Sequence, residues 1–303
     1  MKQIKRNIII ILSLILVGTI VVFKLIESLS QDSTELTIEE HFPLDKTRSL
    51  PSFDYAADQS RTEEFTRTSQ VKEKWIEKDL DPNQWGENVS GVKNRLNTNE
   101  KVMALTFDAC GGPLGNKYDE ELISFLREEN IPATLFINAR WIEENEEVFL
   151  ELSEDDLFTI ENHGTKHLPL SLTGRQAWGI TGTRSVEEVI DEVMINQELI
   201  YSLTNRKPSF FRSGTAYYDE AAVAIIEDLG LIAVNFNILG DAGATYSSLQ
   251  VTEALLQGDE GSIALLHMNQ PDSGTAEGVM EAIPLLMAQG YIFVHLDDYE
   301  LKE

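Results

Sequence analysis

Four polar motifs sit where apolar runs of this chain end. They are Thr106-Phe107-Asp108-Ala109-Cys110, His163-Gly164-Thr165-Lys166-His167, Phe211-Arg212-Ser213-Gly214 and Leu265-Leu266-His267. Two histidines and an aspartate can hold a divalent metal, and a further Asp, Arg and His can carry acid–base chemistry around it. The spacing of His163 and His167 puts both imidazoles on one face if that turn is helical. Asp108 ends a run that should be buried, so its carboxylate faces a cleft and suits a general base or a ligand. Arg212 at a strand end would pair with Asp108 and hold it ionised, the alternative being a purely structural ion pair. His267 is the natural partner acid, and Asp241 in Leu239-Gly240-Asp241-Ala242-Gly243 is placed to accept from its ring and raise its pKa. Gly214 and Thr215 offer backbone N–H groups to a developing oxyanion. Trp141, Tyr217 and Tyr218 lie just beyond strand ends, where they either stack on sugar rings or simply pack. His295 and Asp297-Asp298 would lie near the same rim and are given no role.

The elements that must position these groups are legible as alternating textures. Seven short apolar, β-branched or aromatic runs predict strands: Val102–Phe107, Ala133–Ile137, Leu157–Ile160, Pro208–Phe211, Leu231–Phe236, Ser262–Leu266 and Tyr291–Val294. Helical patterns over Asp119–Glu129, Ser185–Thr204, Asp219–Leu229, Leu249–Gln257 and Glu277–Gln289 separate many of them. The clearest, Ser185–Thr204, opens on a capping box of Ser185 and Glu188. Alternating strand and helix implies α/β architecture with a parallel sheet, and seven units suggest a barrel closed or nearly so. In such barrels active sites form at the C-terminal strand ends, which gives Asp108, His163, His167, Arg212, Asp241 and His267 one address.

Composition bounds what surrounds this domain. Of 303 residues 24 are basic and 51 acidic, a formal net charge of −27, so general charge does not favour nucleic acid or anionic lipid. Cys110 is the only cysteine, which excludes an intramolecular disulfide and a cysteine zinc cluster. Asn7 to Phe23 is almost pure Ile, Leu and Val, about 26 Å long as a helix, with Leu25 and Ile26 extending it if Lys24 snorkels. Basic residues precede it and acidic ones follow, so the expectation is an uncleaved signal anchor with its N-terminus in the cytoplasm. A cleaved signal peptide is the alternative. Residues 1–6 are then a cytoplasmic tail, 7–26 the transmembrane segment, 27–83 a polar extracellular stalk with a short helix around Val71–Lys78, and 84–303 the folded domain.

Taken in order, the motifs over residues 84–303 resemble those of the polysaccharide deacetylases of the NodB-homology type, carbohydrate esterase family 4. Thr106-Phe107-Asp108 matches the start of the family's Thr-Phe-Asp-Asp, which Ala109 then breaks. His163 and His167 match its His-x-x-x-His, Arg212 its third motif, Asp241 a fourth that lacks the usual Trp, and Leu265 and His267 its Leu-x-His. The resemblance implies a distorted (β/α)7 barrel and an N- or O-acetylated glycan substrate. It implies Asp108 as base, His267 as acid, Leu265 in the acetyl-methyl pocket, and zinc or a similar metal (Co, Mn or Ni) held by the histidines. Thr215 and Tyr217 are expected to meet substrate.

Ala109 has no ligand atom, so one carboxylate of the family's His2Asp set is absent. Either Asp108 moves onto the metal, or Cys110 or a water fills the gap, or the site is empty. The set taken forward is His163, His167 and Asp108, since the side chain of Cys110 points away from that of Ala109 if the strand continues. If the missing carboxylate limits binding, Ala109→Asp should tighten it. The expected function is N-deacetylation of peptidoglycan amino sugars on the cell-wall side of a bacterial membrane. The alternatives are an O-acetyl esterase on wall polysaccharide and a wall-associated pseudoenzyme that binds glycan without catalysis. Retention of five dispersed polar groups speaks against the last. No protein partner is inferable.

Overall fold

A computed structural model describes residues 55–78 and 80–303. The expected anchor, its cytoplasmic tail and the first part of the stalk lie outside the described residues, among which no helix is long and apolar enough to cross a membrane. Among the described residues, eight of twelve strands make the path of one sheet. Its centre is β2 (Val102–Ala109), every residue of which is buried. Parallel neighbours follow in the order β10 (Ser262–His267), β2, β3 (Ala133–Ile137), β4 (Phe158–Asn162), β7 (Phe210–Phe211) and β8 (Ile232–Ala233). Strands covered on both faces read as continuous apolar runs, which is how β2, β3 and β10 appear in the sequence.

Outer helices pack on this sheet, and most begin on a side-chain cap. Asp119 accepts from the Leu122 N–H ahead of α2 (Glu120–Glu128), and Asp219 does the same for Ala222 ahead of α6 (Glu220–Asp228). Such caps satisfy N–H groups that the helix itself leaves unpaired. Ser185 caps α5 (Val186–Thr204) by accepting from the Glu188 N–H. Glu188, however, accepts from Arg184, one residue too early, so the expected capping box is only half made. A full box forms instead at Ser247 and Gln250, opening α7 (Ser248–Leu256). The remaining helices are α3 (Ala139–Glu144), α4 (Glu146–Glu154) and α8 (Thr275–Ala288).

Three expectations need correction. The ring is not a regular seven-stranded barrel. Between β8 and β10 the strands do not meet directly; β9 (Ile238–Leu239) pairs with β10, and residues 93–96 bridge the seam. There the Lys93 N–H donates to the Ala233 carbonyl, and Arg95 of β1 (Arg95–Leu96) pairs antiparallel with Ser262. Second, from Tyr55 the presumed stalk is a helix, α1 (Tyr55–Ile76), and residues 54–303 make one compact unit. Val71 and Trp75, one turn apart, are buried with Val189 and Ile225, and Trp75 Nε1 donates to Asp228 at 2.6 Å. Third, His295, Asp297 and Asp298 lie at the opposite end from the motifs. Strand β11 (Ile292–Phe293) joins β2 only beside Val102 and Met103, and His295 meets the Leu157 carbonyl ahead of β4.

Side chains alternate strictly along β2. Met103, Leu105, Phe107 and Ala109 enter the apolar layer under the helices, with Leu122, Trp141 and Val279. Val102 and Ala104 face the interior, with Phe136, Phe210 and Ile263. Also buried, near the start of β7, is Glu161, whose carboxylate accepts from the Ser209 and Phe210 N–H groups. Burial pushes this carboxyl from 4.5 up to about 8. The folded chain therefore holds that proton more tightly than the unfolded one, and its share of stability is complete below about pH 4.5 and lost as pH rises through about 8. Urea midpoints of the wild-type chain should thus fall across this window relative to those of Glu161→Gln. Parallel pH curves for the two proteins would refute the assignment.

Candidate active site

The alternation that sends Phe107 and Ala109 outward turns Thr106 and Asp108 inward, and it continues one residue past the strand to Cys110. Two left-handed glycines then fold the chain back (Gly111, φ +68°; Gly112, φ +81°). A Cβ on Gly111 would lie 2.5 Å from the Trp141 backbone nitrogen, so only glycine fits this approach. The Cys110 carbonyl is fixed at 2.8 Å by the Arg140 guanidinium.

Arg212, fully buried after β7, organises the inward face. Its Nη1 donates to Asp108 Oδ1 and to Thr106 Oγ1, both at 2.8 Å, while Nε and Nη2 donate to the Val234 and Asn235 carbonyls. Phe136 lies under the guanidinium at 4.2 Å. The Arg212 carbonyl accepts from His163 Nδ1 at 2.9 Å. A carbonyl cannot donate, so Nδ1 carries the proton and Nε2 keeps its lone pair free for a ligand role.

The segment from His163 to His167 is not helical, contrary to the spacing argument. It is a loop with Gly164 at φ +80° and His167 at φ +63°. Glu192 of α5, only 2% exposed, holds it by accepting from the Lys166 and Leu168 N–H groups. Asn138 donates to the carbonyls of His163 and Gly164, and Asn162 accepts from the Gly164 N–H. With this many bonds fixing the backbone, the loop can keep a histidine in the left-handed region. Glu192 and Asn196 escaped the sequence reading. Their signal was a polar pair one turn apart on the buried face of α5, where Gln197 is buried beside them.

The rings of His163 and His167 stand perpendicular at 5.0 Å, and Cys110 Sγ lies 3.7 Å from His163 Nε2. One ligand atom each from Cys110, His163 and His167 falls within 4.8 Å of the others, and His167 Nε2 is buried without a hydrogen bond. Asp108 stands beside this cluster, Oδ2 at 3.6 Å from His163 Nε2, with Oδ1 committed to Arg212. The candidate donor set that these distances bring together is Cys110, His163 and His167, with Asp108, the third ligand of the sequence argument, beside it. Two imidazoles and a thiol suit a borderline cation such as Zn2+, and the residues fit a metal. Ala109 points into the apolar layer, so an aspartate there would be buried away from the site. Burial pushes the Cys110 thiol up, but the charges of His167 and His267 and a hydrogen bond with His163 outweigh it, leaving the group well below its usual value.

Beside Asp108 on the neighbouring strand, its register partner His267 ends β10 with Nδ1 at 2.9 Å from Asp241 Oδ1; its own N–H and Thr275 Oγ1 donate to Oδ2. Burial alone would lower His267, yet Asp241 raises it well above 6.5. Leu265 lies two residues earlier on the same inward face, 5% exposed. Gly214 packs against His167, where a Cβ would come within 2.4 Å of its backbone, and the neighbouring Thr215 hydroxyl is buried without a hydrogen bond. Tyr217 sits between Trp85 and Trp178, whose ring is 75% exposed at the tip of a hairpin of β5 (Gln176–Ala177) and β6 (Ile180–Thr181). Trp141 and Tyr218 are fully buried and bond the Lys117 carbonyl and Ser213 N–H, so both are packing residues.

Residues 95–234 match the family model for polysaccharide deacetylases. The Bacillus subtilis protein YlxY is 24% identical over 181 residues, 58% of this chain, which spans about half (51%) of its length. Among solved structures, a CE4-family pseudoenzyme from Bacillus anthracis superposes with a TM-score of 0.58 at 22% identity, covering 73% of this chain and 70% of its own. A peptidoglycan N-acetylglucosamine deacetylase gives 0.57 at 20% identity, over 68% of this chain and 91% of that one. Identities this low show shared fold alone. The match over residues 95–234 is thus to the family that the sequence motifs resemble, the polysaccharide deacetylases.

Proposed function

We propose that this chain is a metal-dependent deacetylase that removes N-acetyl groups from the amino sugars of peptidoglycan. The observation that carries the reading is a pair of separately held groups, register partners on neighbouring strands, beside one donor cluster. Asp108 is held by Arg212 at 2.8 Å, and His267 by Asp241 at 2.9 Å. Cys110, His163 and His167 would hold the cation, which when bound would supply Lewis acidity toward an acetyl carbonyl.

The chain's own groups do the proton work. Arg212 engages Asp108 Oδ1, leaving Oδ2 to accept a proton from an attacking water. His267, kept charged by Asp241, is placed to return a proton to the leaving amine. Gly214 abuts His167, where the N–H groups of Gly214 and Thr215 can meet a developing oxyanion. Leu265 supports the reading with an apolar wall for the acetyl methyl, and Tyr217 with a ring face for a pyranose. Peptidoglycan is favoured by likeness to a deacetylase of that polymer and by the strongly acidic domain behind a candidate anchor. We place that anchor at residues 7–26 with the domain on the wall side.

Acetate release from N-acetylated peptidoglycan fragments, measured with bound metal, tests the activity. Asp108→Asn should lower turnover by about 10²–10⁴-fold, the span typical of a general base, while metal content holds. Release only from O-acetylated polymer would replace the amide substrate by an ester. No release from either, unaltered by Asp108→Asn, would leave the pseudoenzyme. The pH profile gives a second expectation. With Asp241→Asn the His267 pKa falls, so the acid loses its proton earlier and the alkaline limb of kcat moves to lower pH; an unmoved limb would remove His267 as the acid. For the anchor, the full chain should sediment with membranes and a chain lacking residues 1–26 should not.

A further inference from the structure

We propose that the Cys110 thiolate is the third protein ligand of the metal, making a His2Cys site in place of the carboxylate set that the sequence motif suggests. The inference rests on the metal-dependent reading above but concerns the ligand, not the reaction.

Three observations converge. Cys110 follows Thr106 and Asp108 on the inward face of β2, while Phe107 and Ala109 face outward into the apolar layer. Its sulfur is 3.7 Å from His163 Nε2. Tetrahedral zinc, with bonds of about 2.3 Å to sulfur and 2.0–2.1 Å to nitrogen, separates those two atoms by about 3.6 Å. His167 Nε2, the third donor atom in reach, is buried and takes no hydrogen bond, a costly arrangement unless something else binds it.

The backbone around Cys110 is built to hold the sulfur there. Arg140 fixes its carbonyl, and Gly111 admits a backbone approach that no other residue could make. Binding is a simple exchange: the S–H bond breaks, a sulfur–metal bond forms, and the proton leaves to solvent. No oxidant or reductant enters. A thiolate ligand favours zinc and cobalt over magnesium or manganese, which take oxygen donors.

Because Cys110 is the only cysteine in the chain, its sulfur can be read without ambiguity. The full-length protein loaded with Co2+ should show a thiolate-to-cobalt charge-transfer band in the near ultraviolet, absent from Cys110→Ser. That variant should bind Zn2+ more than about tenfold more weakly, since even residues that only orient a ligand contribute about 10–100-fold. Wild-type protein supplies a readout independent of any variant's folding: Zn2+ should protect the single thiol from a chromogenic disulfide reagent, and chelation should expose it. Stoichiometric Co2+ without the band, or a thiol that reacts equally fast with and without Zn2+, overturns the proposal and leaves the deacetylase reading standing. Failure to bind any metal overturns both; loss of acetate release with the band intact overturns only the proposed activity.

Discussion

The site depends on one buried cation. Arg212 has no exposure to solvent, and a guanidinium cannot shed its proton, so every N–H that it buries needs an acceptor. The fold meets that need with Asp108, Thr106 and the carbonyls of Val234 and Asn235, which belong to distant parts of the chain. One residue thus ties β2 to the segment after β8, across the part of the ring where regular strand pairing fails. The Arg212 carbonyl also orients His163. The proposed base and one candidate donor imidazole are therefore set by the same residue, and displacing Arg212 disturbs both.

Much of this was legible because burial on both faces leaves a strong imprint. The runs that became β2, β3 and β10 stand out, and a polar residue ending each is conspicuous. Asp241 beside His267 follows from the same logic. The short strands were harder to delimit. β7 and β8 pair over only two residues each, so Pro208–Phe211 and Leu231–Phe236 overstate them. The open seam could not be foreseen, since residues 93–96 pair through backbone groups that any sequence supplies.

Other features were hidden for specific reasons. Helix α1 has a weakly amphipathic, highly polar sequence, and only Val71 and Trp75 mark the face that it buries. Glu192 looks like an ordinary helical glutamate until the loop that it caps is in place. Burial raises its pKa, while the N–H groups around it favour its charged form. His163 and His167 suggested a helical turn because four-residue spacing is a helix rule. A loop with two left-handed residues reaches the same convergence by another path.

Cys110 is the most instructive case, because the relevant rule was available. Successive residues on a strand face opposite ways, so a side chain pointing away from Ala109 points where Asp108 points. Comparison with the family's Thr-Phe-Asp-Asp draws attention to the vacant second carboxylate; period-two geometry draws it to the next residue. Thiolate and carboxylate carry the same charge, so exchanging one for the other preserves the electrostatic balance against two neutral imidazoles. What changes is hardness. Sulfur gives more electron density to the cation than oxygen does, which tempers its pull on a carbonyl and leaves more of the barrier to Asp108 and His267. In a site of that kind, the Arg212 and Asp241 contacts that tune those two groups carry correspondingly greater weight.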